Sequence, residues 1–71
     1  MLTYRFLGFS RFSRLVAGQF IRCDDVHQAR QRAHEMLARR AIERVEVWEA
    51  HQQVYEVTRR SLRGDLQRSP A

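Results

Sequence analysis

Lysine is absent from this chain: all 13 basic residues are arginine. A GC-rich genome produces that bias as readily as selection for phosphate contacts does, so the sequence pI of about 11.0 is weak ground for nucleic-acid binding. The single cysteine, Cys23, excludes an internal disulfide, and the Cys/His clusters of a zinc scaffold are missing. No run of about 18 apolar residues occurs, which excludes a spanning helix, and Arg5, Arg11 and Arg14 break up any signal-peptide core. These absences predict a cytoplasmic location. Gly8, Gly18 and Gly64 are isolated and form no phosphate-cradling loop.

A chain of 71 residues is one domain, and a domain of this size buries only about 60% of the surface its unfolded chain exposes. Without a disulfide or a metal, association with a second copy is the remaining source of stability, so a homodimer is expected. Charge is unevenly distributed. Residues 1–23 carry +4, residues 24–40 +1, residues 41–58 −3 and residues 59–71 +3. Opposite charges on neighbouring strands would stabilise pairing by about 0.2–1 kcal/mol per directly opposed pair. The Arg- and Ser-containing first 23 residues also have the composition of an organellar transit peptide, but strand alternation accounts for them better.

From Leu2 to Leu7, Leu2, Tyr4 and Phe6 alternate with Thr3 and Arg5, the period of a half-buried strand that Gly8 then interrupts. A second β-rich stretch runs from Leu15 to Arg22, with Gly18 in its middle as an expected bulge or weak point. The two form a hairpin with a loop of about seven residues, long for its kind. At Asp24-Asp25 the period changes. Asp25 with Gln28 is a candidate capping box, and Val26, Ala29, Ala33, Met36 and Leu37 then recur at helical spacing. Gln28, Arg32, Glu35 and Arg39 take the opposite side, with Glu35 and Arg39 spaced for an ion pair.

Alternation resumes over Val45–Glu49 and again over Gln53–Thr58 after a turn near His51-Gln52. The order ββαββ, with a right-handed crossover from second to third strand over the first, predicts an α+β fold. Its four-stranded antiparallel sheet has order 2-1-3-4, with one helix packed on one face. A turn of two or four residues would set Trp48 opposite Tyr55, and a turn of three would set Val47 opposite Tyr55. The domain spans residues 1–58. Residues 59–71, rich in Arg, Ser, Gly, Pro and Gln, read as a flexible basic tail.

The opening Tyr4-Arg5 strand, the Cys23-Asp24-Asp25 helix start, the Val45-Glu46-Val47-Trp48-Glu49 strand and Val54 in the next strand together resemble a group of short proteobacterial proteins of unknown function. The resemblance covers residues 2–57. It departs at Phe9 to Arg14, where a short polar Asp/Gly turn would be expected. It implies the ββαββ fold and no activity, so no catalytic residue is carried over.

Candidate sites are few. The tandem Phe9-Ser10-Arg11 and Phe12-Ser13-Arg14 interleaves rings with guanidinium groups, as a stacking platform for single-stranded bases or a membrane-surface contact does. The alternative is a loop whose phenylalanines fold back over the core. Cys23, His27 and His34 share a helix flank but are too few for a closed metal site, so no metal or cofactor is expected. Trp48 and Tyr55 would make an aromatic dimer surface on the sheet face the helix leaves open, unless Trp48 is half-buried at the helix edge or tail. Ser10, Ser13, Thr58 and Ser61 lack a nucleophile motif, and Glu46, Glu49 and Glu56 read as a solvated acidic face, so no enzyme is expected. The sequence favours a non-enzymatic, self-associating binding or adaptor protein. The alternative is nucleic-acid binding through the Phe9–Arg14 loop and the tail arginines Arg59, Arg60, Arg63 and Arg68.

Overall fold

The computed structural model describes residues 2–59. Its elements are β1 (Leu2–Phe9), β2 (Leu15–Cys23), α1 (Val26–Met36), β3 (Arg44–Glu49) and β4 (Gln52–Thr58). They form one antiparallel sheet of order β2-β1-β3-β4. The expected ββαββ architecture and strand order are therefore those of the protein. Arg60 and the rest of the predicted tail lie outside the described residues.

Alternation sorts β1 cleanly. Tyr4, Phe6 and Gly8 turn to the helix side and are buried, and so do Val45 and Val47 of β3 and Val57 of β4. The helix adds Ala29, Ala33, Met36 and Leu37 to the same core. Two alanines at its centre bring the helix axis close to the sheet, and Phe6, Val45 and Val47 fill the space beneath at 0% exposure.

Asp25 is the N-cap, as its residue type predicts: its Oδ1 accepts from the Gln28 backbone N–H at 3.0 Å. The Gln28 side chain reaches back one residue further than a standard capping box, with its Oε1 accepting from the Asp24 N–H at 2.8 Å. The helix ends at Met36 because the next position of the apolar stripe is Arg40 and none of the residues 38–41 supplies a large apolar side chain. Arg39 consequently lies beyond it, and Glu35 pairs backwards with Arg32 at 3.7 Å instead of forwards with Arg39.

Both hairpins depart from expectation in ways the chain explains. Gly8 does not end β1, which continues through it to Phe9. A Cβ on Gly8 would stand 3.0 Å from Ile42 Cδ1, so the residue makes room for an isoleucine delivered from the loop between α1 and β3. The irregularity between β1 and β2 falls at Gly8/Phe9, where the pairing skips Val16, and not at Gly18, which pairs regularly with Leu7. The loop is shorter than seven residues. Ser10 and Arg14 close it through an N–H to O bond of 2.8 Å, and Ser13 sits in the left-handed region at φ 63.

The second hairpin has the Val47–Tyr55 pairing predicted for a three-residue turn, without that turn, and the Trp48–Tyr55 register does not occur. Its turn is two residues, Ala50-His51, with Ala50 at φ 55, so that Glu49 faces Gln52 and Trp48 faces Gln53. A bulge between Val47 and Trp48 then shifts the ladder, and Val47 faces Tyr55. Trp48 and Tyr55 are thereby separated. Tyr55 shares the helix side with Val47, and Trp48 occupies the uncovered face.

Candidate functional site

The uncovered face of the sheet carries three rows of side chains that cross all four strands, with the Thr3–Arg22 pair of β1 and β2 beyond them. Phe20, Arg5, Trp48 and Gln53 form one, Gly18, Leu7, Glu46 and Glu56 the next, and Leu15, Phe9, Arg44 and Thr58 the last. Two cation–π contacts join β1 to β3: Arg5 lies 6.0 Å from the Trp48 ring and Arg44 4.3 Å from the Phe9 ring. Basic β1 therefore meets an aromatic residue, not an acid, on β3, contrary to the charge pairing its composition suggests. Glu46 and Glu56 face each other, a like-charge opposition that Arg44 relieves by approaching both, at 3.5 and 3.7 Å. Glu46 also accepts from Trp48 Nε1 at 3.0 Å. This half of the face is polar but internally neutralised.

The β2 half is different. Leu15 is 59% exposed, Val16 48% and Phe20 71%, while no charged residue occurs between Arg14 and Arg22. An edge strand of that character, with no neighbouring strand on its outer side among the described residues, is a template for a further strand. The other edge, β4, is guarded by Glu56, by two glutamines and by its bulge.

The Phe9–Arg14 segment divides. Phe9 packs beneath Arg44, whereas Phe12 is 76% exposed with the Arg11 guanidinium 5.8 Å from its ring. Ser10, Arg11, Ser13, Glu43, Arg44 and Thr58 line an open depression of about 530 Å³ beside this loop. No protein-family model matches this chain, and no curated protein or solved structure does either. What the surface can do must therefore be judged from its geometry.

Arg59, grouped from sequence with the tail, is engaged by the fold. Its backbone N–H donates to Glu43 O at 2.8 Å, and its Nη2 donates to the carbonyls of Leu37, at 2.7 Å, Arg39, at 2.9 Å, and Ile42. The guanidinium thereby satisfies the C-cap carbonyl of Leu37, where it opposes the helix dipole, and ties down two carbonyls of the loop that follows. Tyr55, expected on an open surface, is held on the helix side: its Oη lies 2.8 Å from His34 Nε2, and Arg30 sits 4.9 Å from its ring. Neither role has a local sequence signal, since the partners lie 16 to 25 residues away in the chain.

Cys23 is buried, and His34 is occupied by Tyr55. Among the described residues no group of three His, Cys, Asp or Glu side chains could hold a metal ion. No helix among them is long and apolar enough to cross a membrane. Desolvation pushes the Cys23 thiol above its ordinary value, and Asp24 and Asp25 add to that against the lowering effect of Arg32. Tyr4 is pushed up as well, first by burial, then by the charges of Glu49, Cys23 and Asp25. A raised pKa keeps the thiol protonated and unreactive.

These two groups set an expected pH dependence. In the unfolded chain both lose their protons at lower pH than in the fold, so above the ordinary thiol and phenol ranges the unfolded state binds fewer protons and is favoured. Their contribution is complete below those ranges and is lost as pH rises through the folded-state values. Urea midpoints measured from neutral to strongly alkaline pH should therefore fall, and Tyr4→Phe should flatten that fall. An unchanged alkaline slope in Tyr4→Phe would discount the buried phenol.

Proposed function

We propose that this chain is a non-enzymatic binding or adaptor protein that functions as a homodimer. The reading rests on the exposed Phe20 within the uncharged Leu15–Ile21 run of an edge strand beside an uncovered sheet face. A single helix shields one face of the sheet, and a domain this small gains stability by hiding part of the rest against a twin. The mixture of aromatic and apolar side chains with internally paired charge suits protein contact better than a polyanion. A cytoplasmic location and kinship with the short proteobacterial proteins that share the Val45–Glu49 motif belong to the same proposal.

Sedimentation velocity at micromolar concentration tests it. A dimer is expected; a strictly monomeric species over the whole range would overturn the reading.

Nucleic-acid binding is the second reading, and Phe12 with Arg11 at the exposed loop tip is the observation that favours it. Arg44 beside the loop is already neutralised by Glu46 and Glu56, and Arg59 is spent on the helix C-terminus and the loop after it, which leaves Arg11 and Arg14 as the loop cations with no carboxylate partner among the described residues. Single-stranded RNA or DNA should then bind with an affinity that falls with salt and is lost in Arg11→Ala/Arg14→Ala. Binding unaffected by either change would exclude the loop.

A further inference from the structure

Resting on the proposed self-association, we infer that two copies join edge to edge through β2, antiparallel, about a twofold axis passing beside Gln19. Gln19 is the middle residue of Leu15–Cys23, so this axis lets the whole strand pair with its twin and merges two four-stranded sheets into one of eight strands. For an antiparallel pair related by an axis normal to the sheet, opposed residues share a face, so both helices lie on one side.

The side-chain pattern selects this register. With Gln19 opposite the partner's Gln19, Phe20 falls beside the partner's Gly18 on the uncovered face, and Ala17 beside the partner's Ile21 on the helix side. Gly18 leaves a gap there: a Cβ on it would meet only Leu7 Cδ2, at 3.6 Å, so the surface beside it is open to an aromatic ring from the neighbouring strand. A phenylalanine covering a strand glycine restores the packing the glycine lacks. It also explains why a ring 71% exposed in the single chain sits on the outermost strand. Ala17 and Ile21, already packed on the core from one side, gain a neighbour on the other.

Moving the axis by one residue to Gly18 would set Arg14 against the partner's Arg22 and glycine against glycine. The Gln19 axis avoids both. It places Arg22 near Val16, whose apolar surface the arginine stem can cover. The uncharged run from Leu15 to Ile21 is what a strand needs when its twin lies alongside, because any charge on it would stand close to its own copy.

The test uses residue 19 against itself. Gln19 is exposed, so Gln19→Glu and Gln19→Arg should both fold, as checked by circular dichroism and urea midpoint. Each alone places like charges across the axis and should weaken dimerisation about tenfold or more. Mixed in equal amounts, the two should recover a dimer at least as tight as the original. Phe20→Asp, at a second exposed position, should weaken it as well. If the unaltered chain is monomeric, self-association itself fails. If it dimerises but the single Gln19 variants dimerise equally well, or the mixture does not recover, or Phe20→Asp leaves dimerisation intact, the β2 edge is not the interface while self-association stands.

Discussion

Replacing Arg59 with alanine is expected to lower stability by about 2–4 kcal/mol, although composition groups this residue with a flexible basic tail. Three carbonyls, of Leu37, Arg39 and Ile42, lose the same charged donor at once. Those of Leu37 and Ile42 accept in part-buried surroundings, where water is slow to replace a lost hydrogen bond. The nearby Glu43 carboxylate, 3.6 Å from Arg59 Nε, contributes little to the sum, since both side chains are more than a third exposed or close to it.

At about 4–8 °C per kcal/mol for a domain this small, the melting temperature should fall by about 8–32 °C. Arg59→Lys should recover only part, because the lysine ammonium sits closer to the backbone than Nη2 and brings no second nitrogen to face Glu43. A thermal melt of Arg59→Ala within about 3 °C of the unaltered chain would show that water serves these carbonyls equally well. The same bonds dictate how the basic end should be trimmed when nucleic-acid binding is tested. A truncation should retain Arg59; one that removes it confounds lost binding with lost folding.

The difference between what was legible and what was not follows the range of the interactions. Period-two alternation in Leu2–Leu7 and helical spacing from Val26 to Leu37 are local, because each residue's face depends only on its neighbours. They gave the elements, and the crossover rule then gave the strand order. The separation of Trp48 from Tyr55 was not legible. It depends on a bulge at Val47/Trp48 that moves Tyr55 beneath the helix, where His34 and Arg30 hold it. Residue types near the bulge do not announce it. The interleaved Phe/Arg content of the Phe9–Arg14 loop is legible in advance, since its own segment contains it, whereas the exposure of Phe12 and of the β2 residues is not. That the apolar exposure concentrates on β2, and not on a Trp48–Tyr55 pair, required the strand order and the register together.

Ile42 shows the limit most clearly, and it carries the second large effect. It stands alone among Arg39, Arg40, Ala41, Glu43 and Arg44, with no periodicity to mark it, yet it is 1% exposed and belongs to the same buried core as Tyr4, Phe6 and Val45. A 3.1 Å bond from its N–H to Arg39 O turns the chain inward, and the notch left by Gly8 receives its Cδ1. Ile42→Ala should cost about 2–5 kcal/mol, a large fraction of a small domain's stability, by emptying that notch. Gly8→Val should cost about 1–3 kcal/mol by overfilling it, despite valine's better strand propensity. The pair is informative because the two errors oppose. In the double variant the added valine occupies volume the isoleucine vacated, so its loss should be smaller than the sum of the single losses by about 1 kcal/mol or more. Urea midpoints of the four proteins measure this coupling directly. Strict additivity would mean that Gly8 is present for some reason other than the isoleucine above it, and the close approach of loop to strand would then contribute nothing specific to the fold.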